Sequence, residues 1–219
     1  KRRKFMTKLL RKEFTLSASP LTYVFLAFTL MSFIPNYPPL VGAFFVCLGL
    51  FYTFQKTREE NDVVFTVLLP VKKTDAVTAK YLFCLINEVI ALLLIAAFIP
   101  VKRVLCAAAP EVYTFALMST NLTALGFYAL IFAAFNILFL GGFFKTAYKI
   151  GKPFIIFCIV AFVLVFLGET LHHIPGLESL NDYSLFPSVI PCVIGLLVLA
   201  FATLSSLNAA KKNFETIDL

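Results

Sequence analysis

Six stretches in which polar residues almost vanish divide the chain, at about 20–35, 39–55, 81–100, 113–140, 153–171 and 187–207, with short polar or basic segments between them. A hydrocarbon core about 30 Å thick takes roughly 20 apolar residues per helical crossing, so each stretch predicts one crossing. The first is short and runs into Ile34-Pro35-Asn36-Tyr37-Pro38-Pro39. That stiff, polar run predicts a tight turn between crossings 1 and 2. Ahead of it, Phe5, Met6, Leu9, Leu10 and Phe14 recur at helical spacing within residues 4–16, while Lys4, Lys8, Arg11 and Lys12 take the other face. The pattern predicts an amphipathic helix lying against anionic headgroups, with a plain basic tail as the alternative. A secretory signal is disfavoured because no small-residue cleavage site follows. Ser17-Ala18-Ser19-Pro20 breaks the helix, and Pro20 suits the first turn of crossing 1.

The polar break at 56–80 is unusual because it contains an apolar run of its own. Val63, Val64, Phe65, Val67, Leu68 and Leu69 leave Thr66 as the one polar residue in the run. Wound as a helix they cover nearly the whole circumference, so one face can meet the crossings while another stays uncovered, and an uncovered apolar face marks a partner's site. Pro70 ends the helix. Thr74 is expected to cap the next one, with Asp75 in its first turn, and that helix continues through Lys80-Tyr81 into crossing 3. A loop lying flat on the bilayer, or a strand built on the β-branched residues of 63–67, are the alternatives.

Composition agrees with the pattern: 60% hydrophobic residues, 14% charged, a mean hydropathy of +0.91 and 26 Phe in 219 residues describe a membrane protein. The net charge of +7 is a topology signal. With six crossings, one side carries seven Lys/Arg in residues 1–12, five in 56–80, three in 145–152 and two in 211–212, against Lys102 and Arg103 on the other. Short basic loops stay in the cytosol, so both termini are expected there. Basic residues scattered over membrane-proximal loops make no nucleic-acid reading surface. The five cysteines, Cys47, Cys84, Cys106, Cys158 and Cys192, form no close motif and read as small packing residues.

Chemistry-bearing residues are few. Glu169 and His172 are spaced i, i+3 as in metal-binding helices, with His173 beside them, but a single such motif offers too few ligands. A membrane-bound enzyme built on them is a remote third class. Glu88 lies about seven residues, roughly 10 Å, into crossing 3. A carboxylate there faces the bundle interior or a water-filled path, and Asn87, Asn121 and Asn136 are candidate interhelical partners. Asn121-Leu122-Thr123 matches a glycosylation sequon, but its apolar setting makes that a chance match.

Glu59, Glu60 and Asn61, then Leu69-Pro70-Val71, then Lys72-Lys73 and Lys80-Tyr81 resemble the first cytoplasmic loop of permease subunits of type-two ATP-binding-cassette exporters. The run FFKTAYKIGKPF at 143–154, with Lys145, Lys149 and Lys152, is similar to the loop between crossings 4 and 5 in a small bacterial branch of that family, which includes exporters of phenol-soluble modulins and other amphipathic peptides.

The resemblance implies an all-α integral membrane protein of six transmembrane helices, a single permease domain over 1–219 in the bacterial cytoplasmic membrane. Residues 1–19 would be the interfacial helix and 56–80 the coupling segment, with 60–69 docking into an ATPase subunit and Pro70–Lys80 passing its closure to the crossings. Glu59, Glu60, Asn61, Val64, Leu68, Leu69, Pro70, Lys72 and Lys73 are then the coupling residues, and Glu88, Asn87 and Asn121 candidates for the translocation pathway. Residues 172–187, interrupted by Pro175 and Gly176, occupy the place of the family's outer gate helices. The chain has no G-x-x-x-x-G-K-[ST]; the nearest approach, from Gly141 to Thr146, lacks the spacing. The resemblance therefore implies no bond chemistry and no cofactor on this chain, ATP and Mg on a partner ATPase, and a second permease copy or paralogue. Amphipathic peptides, lipids or other hydrophobic molecules would be the cargo. The alternative is an ion-coupled secondary transporter or channel using Glu88.

Overall fold

In lipid no water is present to satisfy backbone N–H and C=O groups, so a chain this apolar must pair them within each segment, and helix is the economical answer. The computed structural model describes residues 2–113, 117–146 and 149–217. The fold is 79% helical, with no strand among the described residues. In order the helices are α1 (Arg2–Lys12), α2 (Pro20–Ala27), α3 (Val41–Glu59), α4 (Asp62–Leu68), α5 (Lys73–Ala108), α6 (Leu122–Phe143), α7 (Gly151–Thr170) and α8 (Val189–Glu215). A wide π turn (Glu13–Ser17) prolongs α1, a tight 3-10 turn (Phe28–Phe33) prolongs α2, and a second π turn (Phe135–Leu140) lies inside α6.

Four helices are long and apolar enough to cross a bilayer: Lys73–Ala108, Leu122–Phe143, Gly151–His173 and Val189–Glu215. The pair Phe5–Ser17 and Pro20–Phe33, bent by 85°, makes a fifth only if it is one broken span. The bend falls where Ser19 takes an extended conformation, its Oγ accepting from Leu21 N at 3.3 Å, with Pro20 opening α2. α3 has a polar last turn, Gln55 to Glu59, which shortens its apolar part. The molecule is thus a multi-pass membrane protein of four to five apolar spans, fewer than the six expected, and the expected count rests on the short pair α2 and α3.

Several expected boundaries are corrected. Crossing 3 is part of a 36-residue helix with Pro100 inside it. Lys72, whose side chain makes no capping bond, occupies its N-cap in place of Thr74. The helix expected over 60–69 is Asp62–Leu68, because Glu60 closes α3 and Asn61 turns the chain in the left-handed region, φ 50° and ψ 30°. Asn tolerates that conformation better than most residues. The apolar stretch expected from 113 becomes helix at Leu122; residues 114–116 lie outside the described residues.

The core gathers where α3, α6 and α7 meet, as a continuous set of rings. Phe51 stacks on Phe154 at 3.9 Å, Phe54 meets Phe139 and Phe143 edge-on, and Phe135 bridges to Phe157. Much of the phenylalanine is therefore structural. α6 and α8 approach backbone to backbone: a Cβ on Gly126 would strike the Pro191 carbonyl, and one on Gly195 the Gly126 carbonyl. Such small-residue crossings are how helices associate without a hydrophobic drive between them. Outward rows at helical spacing, Ile155, Ile159, Phe162 and Phe166 on α7 and Val193, Leu197, Phe201 and Leu204 on α8, are exposed.

The bundle has two distinct ends. At one, α1, α4, the start of α5 and the end of α8 converge, with Lys73 Nζ donating to Ile217 O at 2.6 Å. At the other, Glu169 accepts from Leu40 N at 3.2 Å and Met118 N at 3.0 Å, and Lys102 Nζ donates to Ser32 O at 2.7 Å. Glu169 is thereby a buried clasp between two loops. Among the described residues no group of three or more His, Cys, Asp and Glu is placed to hold a metal.

Candidate functional site

The α4 segment presents an apolar face to the surroundings. Val64 is 41% exposed, Phe65 58% and Leu68 80%, while Asp62, Val63 and Thr66 turn inward. Leu69, Pro70, Lys72, Glu59, Glu60 and Asn61 are also exposed and frame that face. Glu59 accepts from Gln55 at 3.1 Å, and Glu60 lies 3.9 Å from Lys56, both within α3's last turns. Lys73, expected among these residues, is half-buried on Ile217 and belongs to the α5–α8 junction. Phe65, absent from the expected set, supplies the aromatic ring of this face.

Beneath α4 lies an ion cluster that the sequence reading did not find. Lys80 Nζ meets Glu13 Oε2 at 2.8 Å and Asp62 Oδ2 at 3.2 Å, and Lys12 Nζ meets Asp62 Oδ1 at 2.5 Å and Glu13 Oε1 at 3.2 Å. Thr57 accepts from Lys80 at 3.3 Å, Thr66 from Lys12 at 2.9 Å, and Ser17 donates to Asp62 at 3.2 Å. Two cations and two anions balance, which is what allows them to be buried. The cluster joins α1, α3, α4 and α5 at one point. Lys12 was expected on the headgroup face and is corrected to this cluster; the side chain of Lys4, expected beside it, lies outside the described residues. Leu9 is buried, Phe14 packs edge-on against Phe83 at 4.8 Å, and Phe5 is exposed, so α1 leans on the bundle with part of its apolar face. Burial alone would raise the Asp62 carboxyl, but Lys80 and then Lys12 outweigh it and hold it below the ordinary carboxylate range.

Deeper in the bundle, fully buried Glu88 accepts from Asn136 Nδ2 at 3.0 Å, and the same amide reaches Thr203 Oγ1 at 3.0 Å. Ser206 Oγ continues the network, donating to Asn136 O at 2.5 Å and lying 2.8 Å from Tyr81 OH. α5, the π turn of α6, and α8 are so joined. Of the expected pathway residues, Asn87 donates to its own helix at Phe83 O, 2.8 Å away. Asn121 is at the far end of the bundle: its Oδ1 caps α6 at Ala124 N, 3.0 Å, and its amide holds Leu180 O at 2.8 Å and Asp182 O at 3.1 Å. Asn87 thus adjoins Glu88 on α5 with its amide turned to its own helix, and Asn121 is not brought to Glu88.

The run 143–154 folds as the end of α6, a loop and the start of α7; Ala147 and Tyr148 lie outside the described residues. Lys145, Lys149 and Lys152 border an open cleft of about 700 Å³, walled by Ile137, Leu138, Pro153 and Ile156. Ser206, already part of the Glu88 network, lines it too.

A multi-pass helical membrane protein with an exposed apolar helix seated on a buried ionic joint is the class that this fold and site define. A family model described as ABC-2 family transporter protein matches residues 8–215, and the chain belongs to that family. It is therefore an ABC-2 type permease, a class of membrane subunit without an ATPase domain of its own, for which an ABC ATPase partner is implied. Neither a characterised protein nor a solved structure matches it significantly.

Proposed function

We propose that the chain is the permease half of an exporter, moving amphipathic or hydrophobic molecules out of the cytosol with ATP and Mg bound by a separate ATPase. The ATPase docks on α4. The exposed Val64, Phe65 and Leu68 face carries this reading, because a helix this short and apolar is not left bare in water. The ion cluster below gives the docked helix a stiff footing on α5 through Lys80, so that motion of the ATPase passes into the bundle. Six crossings with both termini in the cytosol fit the charge pattern, and two such permeases, identical or paralogous, would enclose the pathway. The likeness of the 143–154 run to the modulin-exporting branch favours amphipathic peptides. An ion-coupled transporter using Glu88 would need no ATPase, and the Asn136 bond gives that carboxyl a structural role.

Burying side chains of this size contributes about 1.5–3 kcal/mol each. Val64→Asp with Leu68→Lys is expected to leave the protein inserted and dimeric while abolishing co-purification with the ATPase and its stimulated hydrolysis. Glu60→Lys has a smaller effect, since an exposed pair contributes about 0–1 kcal/mol. If the double variant binds and drives the ATPase like the parent, the docking assignment fails.

A further inference from the structure

We infer that the cleft between the ends of α6 and α8 and the start of α7 is the loading site for cargo, and that it takes an amphiphile with one anionic head and an apolar tail. The inference rests on the exporter reading and names the chemistry of what is exported. Its volume, about 700 Å³, lies within the usual size of small-molecule sites, roughly 300–1,000 Å³. Three side-chain ammoniums, on Lys145, Lys149 and Lys152, border it, and none is paired with an acceptor among the described residues. Among the described residues no carboxylate lines the cleft. Ile137 and Ile156 are exposed on its walls, so it offers apolar surface directly below positive charge. A free anion would leave those walls wet, and a neutral lipid would leave the ammoniums unanswered. A tail on the walls with its head among the lysines satisfies both. Ser206 joins the cleft to Asn136 and Tyr81, so an occupant touches the same α5–α6–α8 network that contains Glu88.

Dansylaminoundecanoic acid and its neutral amide test this on the whole protein in nanodiscs of zwitterionic phosphatidylcholine. The acid is expected to bind saturably, and the amide about tenfold more weakly. Lys145→Ala, Lys149→Ala and Lys152→Ala together remove the preference, whereas Arg at all three positions keeps it. Ala209→Trp, which fills the cleft from an exposed position, weakens both probes. Equal binding of acid and amide, or a preference that survives the triple Ala replacement, overturns the assignment. Doping the discs with phosphatidylglycerol separates cargo from bilayer lipid: a cargo site retains the probe, and displacement that depends on the lysines overturns the cargo assignment. Absence of binding together with Ala209→Cys cross-linking between copies also overturns it, assigning the cleft to a second subunit. No ATPase enters these measurements, so failure of α4 docking and failure of this site are read separately.

Discussion

Asp62 touches both lysines of the buried cluster and Ser17 besides, which makes it the residue where α4 is fastened to the bundle. Its carboxyl is held below the ordinary range, so its stabilising contribution is complete above the unfolded value of about 3.9 and is lost as the pH falls through the folded value. Asp62→Asn keeps the shape and removes the charge. The expected loss is about 1–3 kcal/mol, because Lys80 retains Glu13 while Lys12 loses its closest partner. Melting followed at neutral pH with a thiol-reactive dye, which reports exposure of buried Cys47, Cys84 and Cys192, should fall for the variant, and melting followed by circular dichroism should converge on the parent as the pH falls below about 4. Equal melting of both proteins at neutral pH would remove the cluster from the stability of this region. None of this was legible from the sequence. Lys12 had the spacing of a headgroup-facing lysine, and its neighbour Glu13, followed only 49 residues later by Asp62, gave no local sign of a pair. A carboxylate set directly before an apolar run was the single available hint.

At the scale of the element, periodicity located the helices well because burial in lipid leaves one conformational solution per apolar stretch. It did not say which face of α4 is bare. Thr66 decides that by accepting from Lys12, and so turns Val64, Phe65 and Leu68 outward. Nor did it place Asn121, whose amide reads equally as an interhelical group or a cap. The α6–α8 crossing was illegible for a similar reason, since two isolated glycines, Gly126 and Gly195, carry no periodic signature. They let the backbones of α6 and α8 meet where any Cβ would clash. Gly195→Val should separate the pair at a cost of about 1–3 kcal/mol, read in the same thiol assay, whereas a valine at the unobstructed Gly151 should shift melting far less. Equal effects at the two positions would show that the crossing tolerates side chains.

For the whole molecule, the charge distribution makes the sharpest statement. Single cysteines at Lys73 and Lys149, in a background stripped of the native five, should be shielded from an impermeant thiol reagent in sealed cells, and one at Gly176 labelled. Labelling at Lys73 would overturn the six-crossing arrangement with cytosolic termini.

One feature of the bundle sets how finely its two ends must agree. α5 runs unbroken for 36 residues, about 54 Å at 1.5 Å per residue. Near one end it holds the ion cluster through Lys80, and near the other it grips the Ser32 carbonyl through Lys102. The stretch from Lys80 to Lys102 is about 33 Å long, so a tilt of a single degree about one clasp displaces the other by about 0.6 Å. A hydrogen bond weakens over about that distance, so rocking of α5 by a few degrees must be taken up at Pro100, which lies between the two clasps and leaves the helix one backbone bond short; otherwise the far clasp travels with it or the Lys102–Ser32 bond breaks.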